Sequence, residues 1–338
     1  MDNTPKISVL MAAYNAEKYI SEAIQSILDQ TFTDFELIIV NDGSTDTTKE
    51  KIKAFDDPRI KYYENEGNCK IIFTRNKLLK LAKGKYIAWL DADDISTKNR
   101  LLEQFNFMEN NQEYGICGSW AILIDENGNK LNEIWKPISN SESIKFQMFF
   151  SNNFITSSVF MKNFSGERYQ FSDKWTLGED YNFWLNIIPN YKSTNIKKAL
   201  TFYRINSSGA TLNGQNKMDE NKLEIIDNHL NNHGLIFNEI EKETHSSLVL
   251  NKYITLYKLI PYFQKLLLHF HHSIFLKEIL LDRYTKNQIR NENRNFKNIG
   301  EILYVTKKMS FRFNLVSFKR FALLIIENLF HLRIYKTS

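Results

Sequence analysis

The chain has 338 residues, 43% hydrophobic and 25% charged, close to globular averages, which excludes wholesale disorder and a collagen-like repeat. With 12 glycines and 5 prolines it is not a turn-rich β protein, and two cysteines, Cys69 and Cys117, cannot build a disulfide framework, so a reducing compartment is expected. The net charge of +5 hides an uneven spread: residues 1–215 hold 25 Lys and Arg against 27 Asp and Glu, and residues 216–338 hold 19 against 12.

The N-terminus is polar from Met1 to Pro5, and the apolar run Ile7 to Ala13 is too short and lacks a basic start for a secretory signal. Ile7 to Met11 reads as a buried strand. Glu17 to Gln30 has helical periodicity through Tyr19, Ile20, Ala23, Ile24, Ile27 and Leu28. Phe35 to Val40 is a second strand, and a helix capped by Ser44 or Thr45 runs to about Phe55. A short strand at Ile60 to Tyr63, a helix at Ile71 to Ala82 stopped by Gly84, a strand at Tyr86 to Leu90 and a helix at Thr97 to Asn110 follow. This βαβα order predicts an α/β fold, a mostly parallel sheet flanked by helices.

Beyond Gly115 the pattern loosens. Ile116 to Ile124 and Leu131 to Trp135 flank Asp125-Glu126-Asn127-Gly128-Asn129 and suggest a hairpin. Ser157 to Met161 reads as a short strand, Glu179 to Ile188 as a helix stopped by Pro189, and the chain from about Lys217 as mainly helical. The division is therefore residues 1–215, carrying the sheet, and residues 216–338, a basic helical region. No run approaches the ~18 apolar residues of a spanning helix. The most apolar run, Phe321 to Ile326, is closed by Glu327 and Asn328.

Ligands of open α/β sheets collect beyond the carboxyl ends of the strands. Three polar segments stand there: Ala12-Ala13-Tyr14-Asn15, Asn41-Asp42-Gly43-Ser44-Thr45-Asp46 and Asp91-Ala92-Asp93-Asp94. Three carboxylates in four residues repel one another, so the last segment either binds a cation with oxygen ligands, Mg²⁺ or Mn²⁺, or caps the next helix through Asp94 or Ser96. The Asp42 segment is either a turn and cap or a site that accepts hydrogen bonds from a base or ribose. A phosphate-cradling glycine loop is disfavoured, because no GxGxxG is present and Asp42 would repel a phosphate.

These segments, in order from Ser8-Val9-Leu10-Met11-Ala12-Ala13-Tyr14-Asn15 through Val40 to Asp46, Thr74-Arg75-Asn76 and Leu90 to Asp94, closely resemble the motifs of family 2 glycosyltransferases, which have the GT-A fold. The resemblance covers about Lys6 to Leu212 and includes an acidic pair opening a helix, Gly178-Glu179-Asp180. It implies that Ala13 and Tyr14 line a base pocket, with Asn15 and Ala92 in the same nucleotide-sugar site, and that Asp42 contacts base or ribose. It also implies that Arg75 braces the acidic loop near the nucleotide and that Asp91 lies near the ribose. Asp93, with Asp91, would hold Mg²⁺ or Mn²⁺ on the diphosphate. Asp180 would be the catalytic base, with Glu179 the lesser candidate. Relatives often carry Pro at Ala12 and Asp at Asn41. Where they show Arg-x-His, this chain has Arg204-Ile205-Asn206, so Arg204 can pair with phosphate while Asn206 replaces the imidazole.

The implied activity is inverting, metal-dependent transfer of a sugar from a nucleotide-sugar donor, UDP-linked, to a hydroxyl of a glycan or lipid-linked acceptor during assembly of surface polysaccharide. Rival readings are a silent nucleotide-sugar-binding module, against which both acidic residues speak, and a sugar nucleotidyltransferase, which would need a glycine-rich basic loop after the first strand. Donor choice is expected to depend on the surroundings of Asp93, Trp175 and residues 151–158, and Trp175 is open to either a core role or stacking on a sugar. Trp184 reads as core, and His269, His271 and His272 as a helix face without a zinc pattern.

Residues 250–338 hold 16 basic against 5 acidic residues, interleaved with Leu, Ile and Phe. That combination fits either helices lying on an anionic membrane surface, which would put a cytoplasmic protein on the inner face of the membrane, or a packed helical subdomain with solvated basic residues. Nucleic acid is not expected as a partner, since no recognised module is present.

Overall fold

The computed structural model describes residues 4–164, 169–206 and 215–283, apart from 251, 253, 255, 272, 277 and 281. Its contacts divide the chain into two compact units, Met1–Ile226 and Asp227–Ser338.

The first unit opens with β1 (Ile7–Ala13), α1 (Ile20–Leu28), β2 (Phe35–Asn41), α2 (Thr48–Lys53), β3 (Ile60–Glu64), α3 (Lys70–Leu81), β4 (Tyr86–Trp89), β5 (Ile95–Ser96) and α4 (Arg100–Asn110). It continues with β6 (Tyr114–Ile124), β7 (Lys130–Trp135), α5 (Ser141–Gln147), a short 3₁₀ turn (Thr156–Ser158), β8 (Phe160–Lys162), α6 (Glu179–Ile187) and β9 (Lys192–Arg204). The strands form one sheet in the order β3-β2-β1-β4-β8-β6-β9-β5, with β7 on a free stretch of β6. β3, β2, β1 and β4 are parallel, β8 is antiparallel to both β4 and β6, and β9 runs parallel to β6.

The apolar runs that predict β1 and β2 are nearly all buried, because α1 and its neighbours cover one face and the chain covers the other. Ile20, Ala23, Ile24 and Ile27 of α1 pack into the core shared with Val9, Leu37 and Leu101. The expected hairpin is present, its turn closed by Asp125, which accepts from Asn127 N–H (2.9 Å) and Asn129 N–H (2.8 Å).

Several boundaries differ. α2 begins at Thr48, and neither Ser44 nor Thr45 caps it; Asp46 accepts from Thr48 N–H (3.0 Å) instead. α4 begins at Arg100 rather than Thr97, with Asn99 at its N-cap, so Asp94 and Ser96 do not serve as its caps. β5, α5 and β9 are elements that the periodicity does not predict. β9 turns Ser193, Thr194 and Asn195 inward, where Thr194 donates to Ser139 C=O (2.7 Å) and Asn195 to Ile138 C=O (2.8 Å). Polar residues at inward positions erase the alternation by which a strand is read.

α7 (Gln215–Asn232) carries the chain into the second unit, where α8 (Glu239–Val249) packs against α9 (Leu256–His269). α8 opens with a capping box between Asn238 and Glu241. Leu259, Tyr262, Phe263, Leu266 and Leu267 of α9 are buried. Lys258 and Lys265 pair with Glu243 (2.7 Å) and Glu241 (2.5 Å). In this stretch of the basic region the apolar residues make a protein core and these two lysines are ion-paired, the arrangement of a packed subdomain. His269 approaches the His233 carbonyl (2.9 Å) and His271 is exposed. His272 and residues 284–338, with the Phe321 to Ile326 run, lie outside the described residues. Among the described residues no helix is long and apolar enough to cross a membrane.

Candidate active site

The carboxyl ends of β1, β2 and β4 bring the three polar segments together. Ala13, the last residue of β1, pairs with Asn41, and its carbonyl accepts from Asp42 N–H (2.8 Å). Asn15 ties the first two loops: its N–H donates to Ser44 Oγ (3.0 Å) and its Oδ1 accepts from Thr45 N–H (2.9 Å). The loop after β2 turns at Gly43, with φ of 67°, where an added Cβ would lie 2.5 Å from the Gly67 carbonyl carbon. Only glycine fits such a turn.

Asp42 is buried and accepts from Asn65 Nδ2 (2.7 Å) and Cys69 N–H (2.9 Å) through one oxygen. It lines a cavity of about 200 Å³ with Ala12, Ala13, the exposed Tyr14, Asn68 and Ile71. Its wall is mostly apolar, with Asp42, Asn68, Lys70 and Thr74 as the polar groups and Tyr14 as the ring, the pattern that suits a flat ligand with hydrogen-bonding edges.

The acidic loop leaves β4 beside this cavity. Asp91 N–H donates to Ser157 Oγ (3.1 Å), and Asp91 Oδ1 accepts from Arg75 Nη2 (3.2 Å). Arg75, almost fully buried, sends Nη1 to Glu179 Oε1 at 2.6 Å. Burial alone would lower the Arg75 pKa, but Glu179, Asp91 and Asp180 hold it above the usual arginine value. Burial also pushes Glu179 up to about 7, against the pull of Arg75 and with the push of Asp180. One guanidinium thus joins the acidic loop to the acidic pair at the start of α6.

Asp180 is oriented separately. Its Oδ2 accepts from Thr156 Oγ1 (2.8 Å) and Asn152 Nδ2 (3.1 Å). Both donors come from the polar run at 151–158. That run is visible in the sequence, but its contact with Asp180 is not.

Asp93 is raised to about 6 by burial and then by Asp91, with Arg204 opposing. Such a carboxylate pair fits a hard divalent cation of the Mg²⁺ type, which takes one or two carboxylates and completes its shell with substrate phosphates and water. Among the described residues no group of three or more His, Cys, Asp or Glu is arranged to hold a metal unaided. The donor set therefore fits a cation that arrives with a diphosphate.

Two expectations need correction. Arg204 does not present its guanidinium to a diphosphate: its side chain is 1% exposed and spent internally. Nε donates to Asp93 C=O (2.8 Å), Nη1 to Asp125 C=O (3.2 Å), and Nη2 to Glu22 (2.5 Å), while its backbone N–H donates to Asp94 (2.8 Å). Arg204 fastens the acidic loop rather than the ligand. Trp175 is not free to stack on a sugar either, since it is 7% exposed with its indole N–H on Glu224 (3.1 Å). Trp184 is buried in the core, as its sequence context implies.

Comparison with known proteins supplies the family. The sequence profile described as "Glycosyl transferase family 2" matches residues 8–173. An uncharacterized glycosyltransferase of Methanocaldococcus jannaschii is 40% identical over 206 residues, 60% of this chain and 71% of its own length. The Escherichia coli UDP-Glc:α-D-GlcNAc-diphosphoundecaprenol β-1,3-glucosyltransferase WfgD is 31% identical over 215 residues, 61% of this chain and 80% of its own. The crystal structure of residues 1–349 of Staphylococcus aureus TarS in complex with UDP-GlcNAc superposes with a TM-score of 0.58 at 18% identity, covering 83% of this chain and 88% of that one. The carboxylates at the ends of β4 and at the start of α6 thus sit on a GT-A fold, and the chain belongs to glycosyl transferase family 2 as a glycosyltransferase.

Proposed function

We propose that this enzyme transfers a sugar from a UDP-linked donor to a hydroxyl of a lipid-linked glycan, with inversion, in the assembly of a surface polysaccharide. The observation that carries the reading is the Arg75 bridge, which joins Asp91 on the donor-side loop to the Glu179–Asp180 pair. The uracil and ribose occupy the cavity lined by Ala13, Tyr14 and Asp42, with Asn15 bracing the loops on either side of it and the donor's diphosphate and sugar directed toward Asp91, Ala92 and Asp93. A divalent cation held by Asp93 and Asp91 would supply Lewis-acid neutralisation of the diphosphate.

Asp180 is the base. Hydrogen bonds from Thr156 and Asn152 hold Oδ2 and one from Tyr181 N–H (2.7 Å) holds Oδ1, whose second lone pair takes the acceptor proton. As that proton leaves, the acceptor oxygen bonds to the anomeric carbon and the bond to the diphosphate breaks, its electron pair passing to the phosphate oxygen. Help of this kind is worth roughly 10²–10⁴-fold. Glu179, locked to Arg75, sets the position of the helix start rather than moving a proton. Displacement by one base without a covalent intermediate inverts the anomeric carbon.

UDP as the nucleotide is supported by UDP-Glc as the donor of WfgD and UDP-GlcNAc bound to TarS, and a lipid-linked acceptor by the diphosphoundecaprenol acceptor of WfgD. Work at the inner face of the cytoplasmic membrane, with contact through residues 250–338, belongs to the same reading and is supported by their 16 basic against 5 acidic residues. The test is transfer from UDP-glucose and UDP-GlcNAc to a synthetic alkyl-diphosphate-linked GlcNAc, with and without EDTA, for the wild type, Asp93→Ala and Asp180→Asn. Loss in both variants supports the mechanism, and undiminished transfer in both overturns it. Flotation of the full chain with anionic against neutral vesicles tests the membrane contact, and equal behaviour refutes it.

A further inference from the structure

One surface of the first unit has no role in the donor site. All side chains of the edge strand β7 are exposed, including Leu131, Ile134 and Trp135. An apolar edge strand left uncovered is a ready contact surface, which proteins usually blunt with charge or cover. Trp135 also has a seat: its ring lies 4.9 Å from that of Tyr203, tilted by 30°. The register accounts for this. Trp135 pairs with Ala121, and Leu123, two residues on, pairs with Tyr203, so the two rings meet on one face beside the small Ala121.

Both rings are tied to the carboxylates. Tyr203 precedes Arg204, whose N–H donates to Asp94 (2.8 Å). Burial first, and then the Asp94, Asp91, Asp93 and Asp180 carboxylates, raise the Tyr203 phenol well above its ordinary pKa. Trp135 leads through two residues to Ile138, whose N–H and C=O both bond Asn153 (3.0 and 2.9 Å). The preceding Asn152 donates to Asp180 (3.1 Å). None of the residues lining the Tyr14–Asp42 cavity belongs to β7 or β9. Tyr203 therefore lies within electrostatic reach of Asp180 and the acidic loop, and the aromatic pair lies outside the nucleotide cavity.

We propose that Trp135, seated on Tyr203, is the platform for the acceptor sugar. A pyranose has one face made of C–H groups. That face matches an indole in apolar character and in the sign of its surface charge, while the hydroxyls at the sugar's edge reach polar groups. Tyr203 fixes the indole in advance, so little side-chain freedom is lost on binding. The inference rests on the reading of Asp180 as the base, which gives the sugar lying there the role of acceptor.

The test uses the full chain, with saturation-transfer NMR on methyl β-D-glucopyranoside, β-D-galactopyranoside, N-acetyl-β-D-glucosaminide and α-D-mannopyranoside, and on octyl glucoside. UDP binding is measured beside it by calorimetry. At least one methyl glycoside is expected to receive saturation at its ring C–H protons, to weaken by about fivefold or more in Trp135→Ala and to stay within about twofold in Trp135→Phe. UDP affinity is unchanged in both variants, which also reports that they fold. The platform is overturned if Trp135→Ala binds the glycosides like the wild type, if no methyl glycoside binds while UDP does, or if Trp135→Ala loses UDP instead. Saturation confined to the octyl chain marks an apolar occupant and overturns it as well. A wild-type protein that binds neither UDP nor any glycoside removes the transferase reading, and this inference with it.

Discussion

Replacing Arg75 with Met removes the guanidinium that touches both acidic elements, while keeping an apolar stem near Trp89 and Phe171, whose ring centres lie 5.8 and 5.6 Å from it. Asp91 is partly exposed and regains water. Glu179, only 9% exposed, does not. Removing one partner of a buried pair costs about 3–5 kcal/mol, most of it the uncompensated charge. The cost depends on pH. Wild-type Glu179 already sits at about 7, above its ordinary 4.5, so the folded state binds this proton more tightly than the unfolded state and stability falls as pH rises through that window. Without Arg75 the folded value rises further and the fall continues to higher pH. Near about pH 5.5 both folded proteins carry the proton and the difference is small, whereas near about pH 8.5 it reaches about 2 kcal/mol, at ~1.4 kcal/mol for each pH unit above the wild-type value of about 7, and it approaches the full ~3–5 kcal/mol only at still higher pH. Urea denaturation followed by tryptophan fluorescence reads this directly, since all 5 tryptophans lie within Met1–Ile226. Adding Glu179→Gln to Arg75→Met recovers roughly 1–3 kcal/mol at the higher pH. A difference that does not vary with pH, or a double variant as unstable as the sum of the singles, refutes the reasoning.

Three further outcomes follow from the same contacts. Arg204→Met leaves the Asp93 and Asp125 carbonyls without their guanidinium donor and unpairs the half-exposed Glu22, and lowers stability by about 1–3 kcal/mol in the same urea assay; an arginine that served only a diphosphate would leave stability unchanged and weaken UDP binding alone. Thr156→Val, which removes a donor to the Asp180 carboxylate at constant shape, lowers turnover about tenfold or more with UDP affinity intact by calorimetry. Gly84→Ala places a Cβ 2.5 Å from the Ser8 nitrogen, so the turn between α3 and β4 must move away from β1; the urea midpoint should fall by an amount corresponding to about 1–3 kcal/mol, and no shift would show that the two backbones can part freely.

What the residues alone disclose divides along physical lines. β1, β2 and β4 are apolar runs that end abruptly in Asn, Asp and Gly, so strand, strand end and site are all written locally. Arg75 and Asp180 are legible as charged residues in motif-like settings, but the Asn152 and Thr156 contacts that orient Asp180 join segments more than 20 residues apart. Arg204 misleads for the same reason. An arginine at a strand end suits a phosphate as well as a carbonyl, and only the closure of β9 over the acidic loop decides which it meets. β9 itself is hidden because Ser193, Thr194 and Asn195 are polar yet buried, with Thr194 and Asn195 donating to backbone carbonyls there.

That late strand has a consequence for how the enzyme comes into being. Asp94 and Arg204 are bonded directly although 110 residues separate them along the chain. At about 5–20 residues per second, a ribosome that has finished β4 works for roughly 5–20 s more before the residue that fastens the acidic loop exists. Until then the nascent chain has a nucleotide cavity but an unfastened carboxylate loop, and it lacks Asp180 for most of that interval. The acidic pair and the arginine that fastens the acidic loop therefore arrive only near the end of synthesis of the first unit, and a product ending within the matched segment, 8–173, would carry the cavity and Asp91 to Asp94 but neither Asp180 nor Arg204.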